Sequence, residues 1–166
     1  MHLLAMLVIL TLTLAVAARA QEPNLAETVA YIERSLLDHG RELYESTNRI
    51  SAVHADGCRI VWTHAEIGNR FSGSVTRTKE LNLADLDASQ VKGWDTIGVL
   101  RLVTFNSEPK IRIHSTRYYN NVLREKDAYV NLLELEFQDP RVVERLGQAF
   151  THAARLCGAK PTKDPF

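Results

Sequence analysis

The sequence predicts an α+β protein: an N-terminal helix, an antiparallel curled sheet or partly open barrel of about seven strands, and a C-terminal helix that caps it. Three observations lead there. Leu25, Val29, Ile32 and Leu36 form an apolar stripe at helical spacing. Short runs rich in Val, Ile, Thr and aromatics, separated by turn residues, fill residues 49–137. A wider apolar stripe then runs from Val143 to Cys157 between strong start and stop signals.

The first helix has its start written in. Asn24 precedes Leu25 and Glu27 follows three residues on, so the Asn side chain caps the first-turn amides while Glu27 reaches back. Gly40 is the expected stop, although Leu43 and Tyr44 would continue the stripe.

The stretch His54-Ala55-Asp56-Gly57-Cys58 holds three residue types used in metal binding and nucleophilic catalysis. Asp-Gly is also a strong hairpin signal, since a two-residue type I′ turn needs positive φ at both positions. Folded about Asp56-Gly57, the ribbon sets Ala55 opposite Cys58, Val53 opposite Ile60 and Ser51 opposite Trp62. Val53, Ala55, Cys58, Ile60 and Trp62 then share a core face, while His54, Ala52 and Ile50 look outward opposite Arg59, Val61 and Thr63. His54 and Cys58 point to opposite sides and cannot form a dyad or share an ion.

A second turn is expected at Gly68-Asn69, bringing Phe71, Gly73 and Val75 back along the strand that carries Trp62. A short strand near Val91–Trp94, a strong one over Ile97–Phe105 and a turn at Asn106-Ser107-Glu108-Pro109 follow. Lys110–Ser115 alternates with Ile111 and Ile113 inward. Arg117–Asp127 reads as a polar loop carrying Tyr118 and Tyr119, and Tyr129–Phe137 as the last strand. Asp139 caps the final helix, Pro140 takes its first position and Gly158 ends it.

Ahead of these elements, Leu3–Ala18 is an almost wholly apolar run of sixteen residues, short of the roughly 17–25 that span a bilayer. Ala18-Arg19-Ala20 supplies the small residues of a signal-peptidase site, so residues 1–20 read as a secretory signal cleaved after Ala20. An uncleaved anchor is the competing reading. The mature chain, from Gln21, is expected to be one domain over 21–158, with the barrel at about 49–158 and a flexible tail at 159–166. It carries nineteen Lys and Arg against twenty Asp and Glu, without the basic excess of a nucleic-acid binder.

The order of elements over residues 49–158 resembles the pleckstrin-homology-like barrel superfamily, seven strands closed at one end by a C-terminal helix. The phrases "LNLADLD" at Leu81–Asp87 and "RLGQAFTHAARLCGAK" at Arg145–Lys160 also resemble small secreted bacterial proteins of uncharacterised function. Phosphoinositide-binding members of the superfamily cluster Lys and Arg at the first hairpin. Here that corner is acidic, with Arg59 alone beside it, so the activity is not carried over. A lipocalin-like barrel and a helix-and-sheet cone are the alternative folds.

An even cysteine count in an exported chain favours a disulfide, Cys58 to Cys157. His39, His54, His64, His114 and His152 show no paired-ligand spacing, so no metal or cofactor is expected. Neither a nucleophile elbow nor a phosphate-binding glycine loop is present, and Asp85 and Asp87 sit where Asp serves local turn bonding. The candidate partner-binding loop is Arg117, Tyr118, Tyr119 and Arg124, residue types that dominate interface hot spots. The expected function is a non-enzymatic secreted or periplasmic binding module for a protein or small ligand, with no membrane span after cleavage. The alternative is a small-ligand carrier or enzyme built around an internal cavity. The two differ in whether Trp62, Ile60, Val75, Leu100, Leu102 and Phe150 fill the centre.

Overall fold

The structure is a computed structural model that describes residues 22–42, 49–66, 73–94 and 98–160. The signal segment, the Leu43-Tyr44 extension, the Gly68-Asn69 turn with Phe71, Ile97 and the end of the tail lie outside these residues. Helix α1 (Leu25–His39) begins with the expected capping box: the Glu27 amide donates to Asn24 Oδ1 and the Asn24 amide to Glu27 Oε2, each at 3.0 Å. It leads through β1 (Gly40–Glu42) to β2 (Ile50–Asp56), β3 (Arg59–Glu66) and β4 (Ser74–Asn82). Strands β5 (Lys92–Trp94), β6 (Val99–Val103), β7 (Ile111–Tyr119), β8 (Val122–Val130) and β9 (Leu132–Phe137) precede helix α2 (Pro140–Leu156).

The strands form two antiparallel sheets, ordered β1-β9-β6-β5 and β2-β3-β4-β7-β8. Four strands in one and five in the other replace the seven expected, and among the described residues the sheets do not close into a barrel. Helix α1 lies on β2, while α2 crosses β5 and β6 and packs along α1. No helix of the described residues is long and apolar enough to cross a membrane.

The interior between the sheets and helices is filled. Ile60, Trp62, Leu100, Leu102 and Phe150 are all fully buried in one apolar cluster with Ile32, Leu36, Leu81 and Leu135. Val75 is buried as well but lies outside that cluster, lining a recess at the far end of the five-stranded sheet.

Three readings are corrected. The first hairpin turns about Gly57-Cys58, because Asp56 pairs with Arg59, Ala55 with Ile60 and Val53 with Trp62. Glycine supplies positive φ (56°) at the first corner position only, the type II′ pattern rather than I′. A one-residue shift of the corner leaves the faces unchanged, so Val53, Ala55, Ile60 and Trp62 still share the core side. A bulge at Ser51 then turns Ile50 inward opposite His64, and Ile50 is buried at 3% exposure.

Second, Arg117–Asp127 is no loop. Asn120 (φ 48°) and Asn121 (φ 61°) both take the left-handed region and make a tight I′-like corner. Around it β7 and β8 pair without interruption from Tyr119↔Val122 to Ile111↔Val130. Third, Tyr129–Phe137 is two strands. The chain breaks at Asn131, leaving β8 at the edge of one sheet and placing β9 in the middle of the other.

Candidate functional site

The opening hairpin is structural. Cys58, at its corner, is bonded to Cys157 at the end of α2, with Cα atoms 5.8 Å apart. The bond ties the first ribbon to the last helix, and His54 stands exposed on the opposite face. The other histidines are dispersed. His64 is fully buried beside Trp62, His114 Nδ1 lies 3.1 Å from Asp127, and His152 Nε2 donates to the Pro23 carbonyl at 2.8 Å. Among the described residues no three His, Cys, Asp or Glu side chains group to hold a metal ion. Asp87, although buried, bonds locally, accepting from the Ser89 amide and hydroxyl and from Gln90 Nε2. Asp85 pairs with Lys110 at 3.3 Å.

Between the helices, Thr28, Tyr31, Arg145, Ala149 and His152 border a groove of about 590 Å³ with mostly apolar walls. It lies outside the packed interior.

The strongest concentration of exposed binding-type residues is the end of the β7–β8 hairpin. Its register draws together the four residues singled out from sequence. Arg117 stands opposite Arg124, Tyr118 opposite Leu123 and Tyr119 opposite Val122. Opposed residues share a face, so Arg117, Arg124, Tyr119 and Val122 look to the inner side, and Tyr118 and Leu123 to the outer. Tyr118 is 49% exposed, Tyr119 43%, Val122 51% and Leu123 57%, which puts large apolar side chains in solvent on both faces of one tip. The Tyr118 hydroxyl donates to Asn121 Oδ1 at 3.2 Å, bracing the corner.

Behind the tip, on the inner face, the sheet carries a recess of about 520 Å³ lined by Val75, Arg77, Ser115, Arg117, Arg124 and Lys126. Registers β4–β7 and β7–β8 place these residues side by side: Arg77 beside Ser115, Ser115 beside Lys126, Val75 beside Arg117. Glu125, at the neighbouring position on β8, also borders the recess. Arg117, Arg124 and Lys126 join no ion pair among the described residues. Sequence reasoning named Arg117 and Arg124 but missed Arg77 and Lys126, because only the β4–β7–β8 register brings those strands together.

The outer face of the same strands is neutralised. Arg59 bonds Glu80 at 2.7 Å, Arg112 lies 3.8 Å from Glu80 and 3.0 Å from Asp127, and His114 completes the row. The Arg59 hydrogen bond, chiefly, holds the Glu80 carboxyl below its usual range, and Arg112 followed by His114 does the same to Asp127. One face of the sheet thus alternates sign across four strands, while the other gathers cations at its end.

Comparison with protein-family models, with curated proteins and with solved structures returned no match to this chain.

Proposed function

We propose that this protein is an exported, non-enzymatic binding module that engages its partner through the end of the β7–β8 hairpin. The observation that carries the reading is the pairing of exposed Tyr118, Tyr119, Val122 and Leu123 with a cation cluster on one short ribbon. Monomeric surfaces seldom leave large apolar side chains contiguous in solvent, and such patches mark contact sites. Tyr and Arg are the side chains that most often dominate contact energies. The filled interior supports recognition at the surface over a carrier with a central cavity. Export is supported by the apolar leader with Ala18-Arg19-Ala20 and by a disulfide of the kind that persists in oxidising compartments.

A photo-crosslinking amino acid at Tyr118, compared with one at Arg34 on α1, tests the reading in the native compartment. The expected result is a specific adduct from the hairpin position and none from the helix. Equal labelling from the two positions, or none from either, overturns it.

A further inference from the structure

We propose that the hairpin end is an anchor for an anionic lipid bilayer, a conclusion that rests on reading this end as the binding surface. A flat protein interface needs its apolar side chains on one face. Here they surround the corner, with Tyr119 and Val122 on the inner face and Tyr118 and Leu123 on the outer. That arrangement suits entry tip-first into a medium that contacts both faces of the ribbon. Tyrosine belongs at the level of lipid headgroups, where its ring is in apolar surroundings and its hydroxyl stays wet. The Asn120-Asn121 corner is polar, which limits entry to the headgroup and upper acyl region, the roughly 5–10 Å reached by interfacial segments.

The charges sit at the matching depth. Strands advance about 3.4 Å per residue, so the Arg117–Arg124 pair lies one step behind Tyr118 and Leu123, level with lipid phosphates when the tip is seated. Lys126 follows behind it on the same face. Glu125 is the one acidic residue among the described residues that line this recess. Directly opposed like charges destabilise a sheet, and Arg117 against Arg124 is such a pair; lipid phosphates between the two guanidinium groups relieve it. Attraction of this kind is to surface charge density, so it calls for an acidic bilayer in general and for no single headgroup.

The test uses the full exported chain with its disulfide intact. It is sedimented with vesicles of phosphatidylcholine, and with vesicles of equal parts phosphatidylcholine and phosphatidylglycerol. Binding to the acidic vesicles alone is expected, weakening as salt is added. Arg117→Glu with Arg124→Glu should lower partitioning roughly 100-fold, given the contribution of each basic residue near an anionic surface. Tyr119→Ser with Leu123→Ser should lower it roughly tenfold through lost apolar contact. Arg34→Glu with Arg155→Glu changes net charge equally at distant exposed positions and should leave partitioning near that of the unaltered chain. Leu123→Trp should add emission that shifts blue on vesicle addition, a readout independent of sedimentation.

Absence of binding to acidic vesicles, equal loss in the distant pair, or a Leu123→Trp spectrum unmoved by lipid overturns the bilayer assignment. So does tight binding to polyglutamate that the serine variants leave intact, because the cations would then serve an acidic protein. If vesicles fail while the crosslinker at Tyr118 still captures a partner, the lipid assignment falls and the binding-module reading stands. If neither responds, both fall.

Discussion

Cys58 and Cys157 are joined across 99 residues of chain, so one covalent bond connects the first hairpin to the end of the last helix. A cross-link of that span stabilises by up to about 4.7 kcal/mol through lost entropy of the unfolded chain. Reduction, or Cys58→Ala with Cys157→Ala, is expected to lower unfolding free energy by about 2–4 kcal/mol without moving the strands. Urea titration with and without reductant measures it, and equal midpoints would show that the bond contributes nothing.

Gly93 on β5 meets α2 backbone to backbone: a Cβ there would press into the Val143 carbonyl, and one on Gly147 would lie 3.1 Å from the Gly93 nitrogen. Gly93→Ala therefore has to push the helix off the sheet. A loss of about 1–3 kcal/mol is expected, as for other overpacked contacts. Thermal unfolding checks it, with Gly57→Ala probing a different effect, since that corner is open in space but requires positive φ.

The outer-face charge row predicts an acid limb. Glu80 has a folded-state pKa below its ordinary value of 4.5, so its contribution is present above that value and is lost as pH falls through the lower folded one. Asp127 has the same sign, from Arg112 and His114. Glu80→Gln should reduce stability at neutral pH and leave a shallower decline on acidification. Urea midpoints across pH 7 to 3 provide the check; an unchanged slope would remove Glu80 from the account.

The corrected hairpin makes its own prediction at Asn121, whose φ of 61° no β-branched side chain tolerates well. Asn121→Thr is expected to cost about 1–2 kcal/mol, while Asn121→Gly is close to neutral. Comparison of melting temperatures decides, and identical behaviour of the two would argue against the tight corner.

The helices were legible in sequence because each carries both its cap and its stripe: Asn24 with Glu27, Asp139 with Pro140, and apolar residues at three and four. The disulfide was legible from an even cysteine count in an exported chain, with both cysteines expected on core faces. The faces of the first hairpin were legible too, since parity survives a one-residue error in the corner. The bulge at Ser51 has no local signal, and it alone reverses Ile50. Strand β8 was read as loop because nearly all of it is exposed, so it lacks the one-sided apolar alternation by which strands are recognised. The junction at Asn131 was invisible because the residues on either side favour strand equally, and the sheet each joins is decided by partners far away in sequence. The grouping of Arg117, Tyr118, Tyr119 and Arg124 was legible, because the four lie close together along the chain. Its context was not, and with it went the contribution of Arg77 and Lys126.

Among the described residues, β8 is an edge strand with no partner on one side, yet Arg124, Glu125, Lys126 and Asp127 alternate in sign along it. Two copies laid antiparallel with matching faces and centred on Glu125 or Lys126 set Lys126 against itself and Glu125 against Asp127, or Glu125 against itself and Arg124 against Lys126. Either alignment opposes like charges directly, a cost natural edge strands exploit. Crowded on a surface or at high concentration, the protein is thereby guarded against joining edge to edge along the charged middle of this strand.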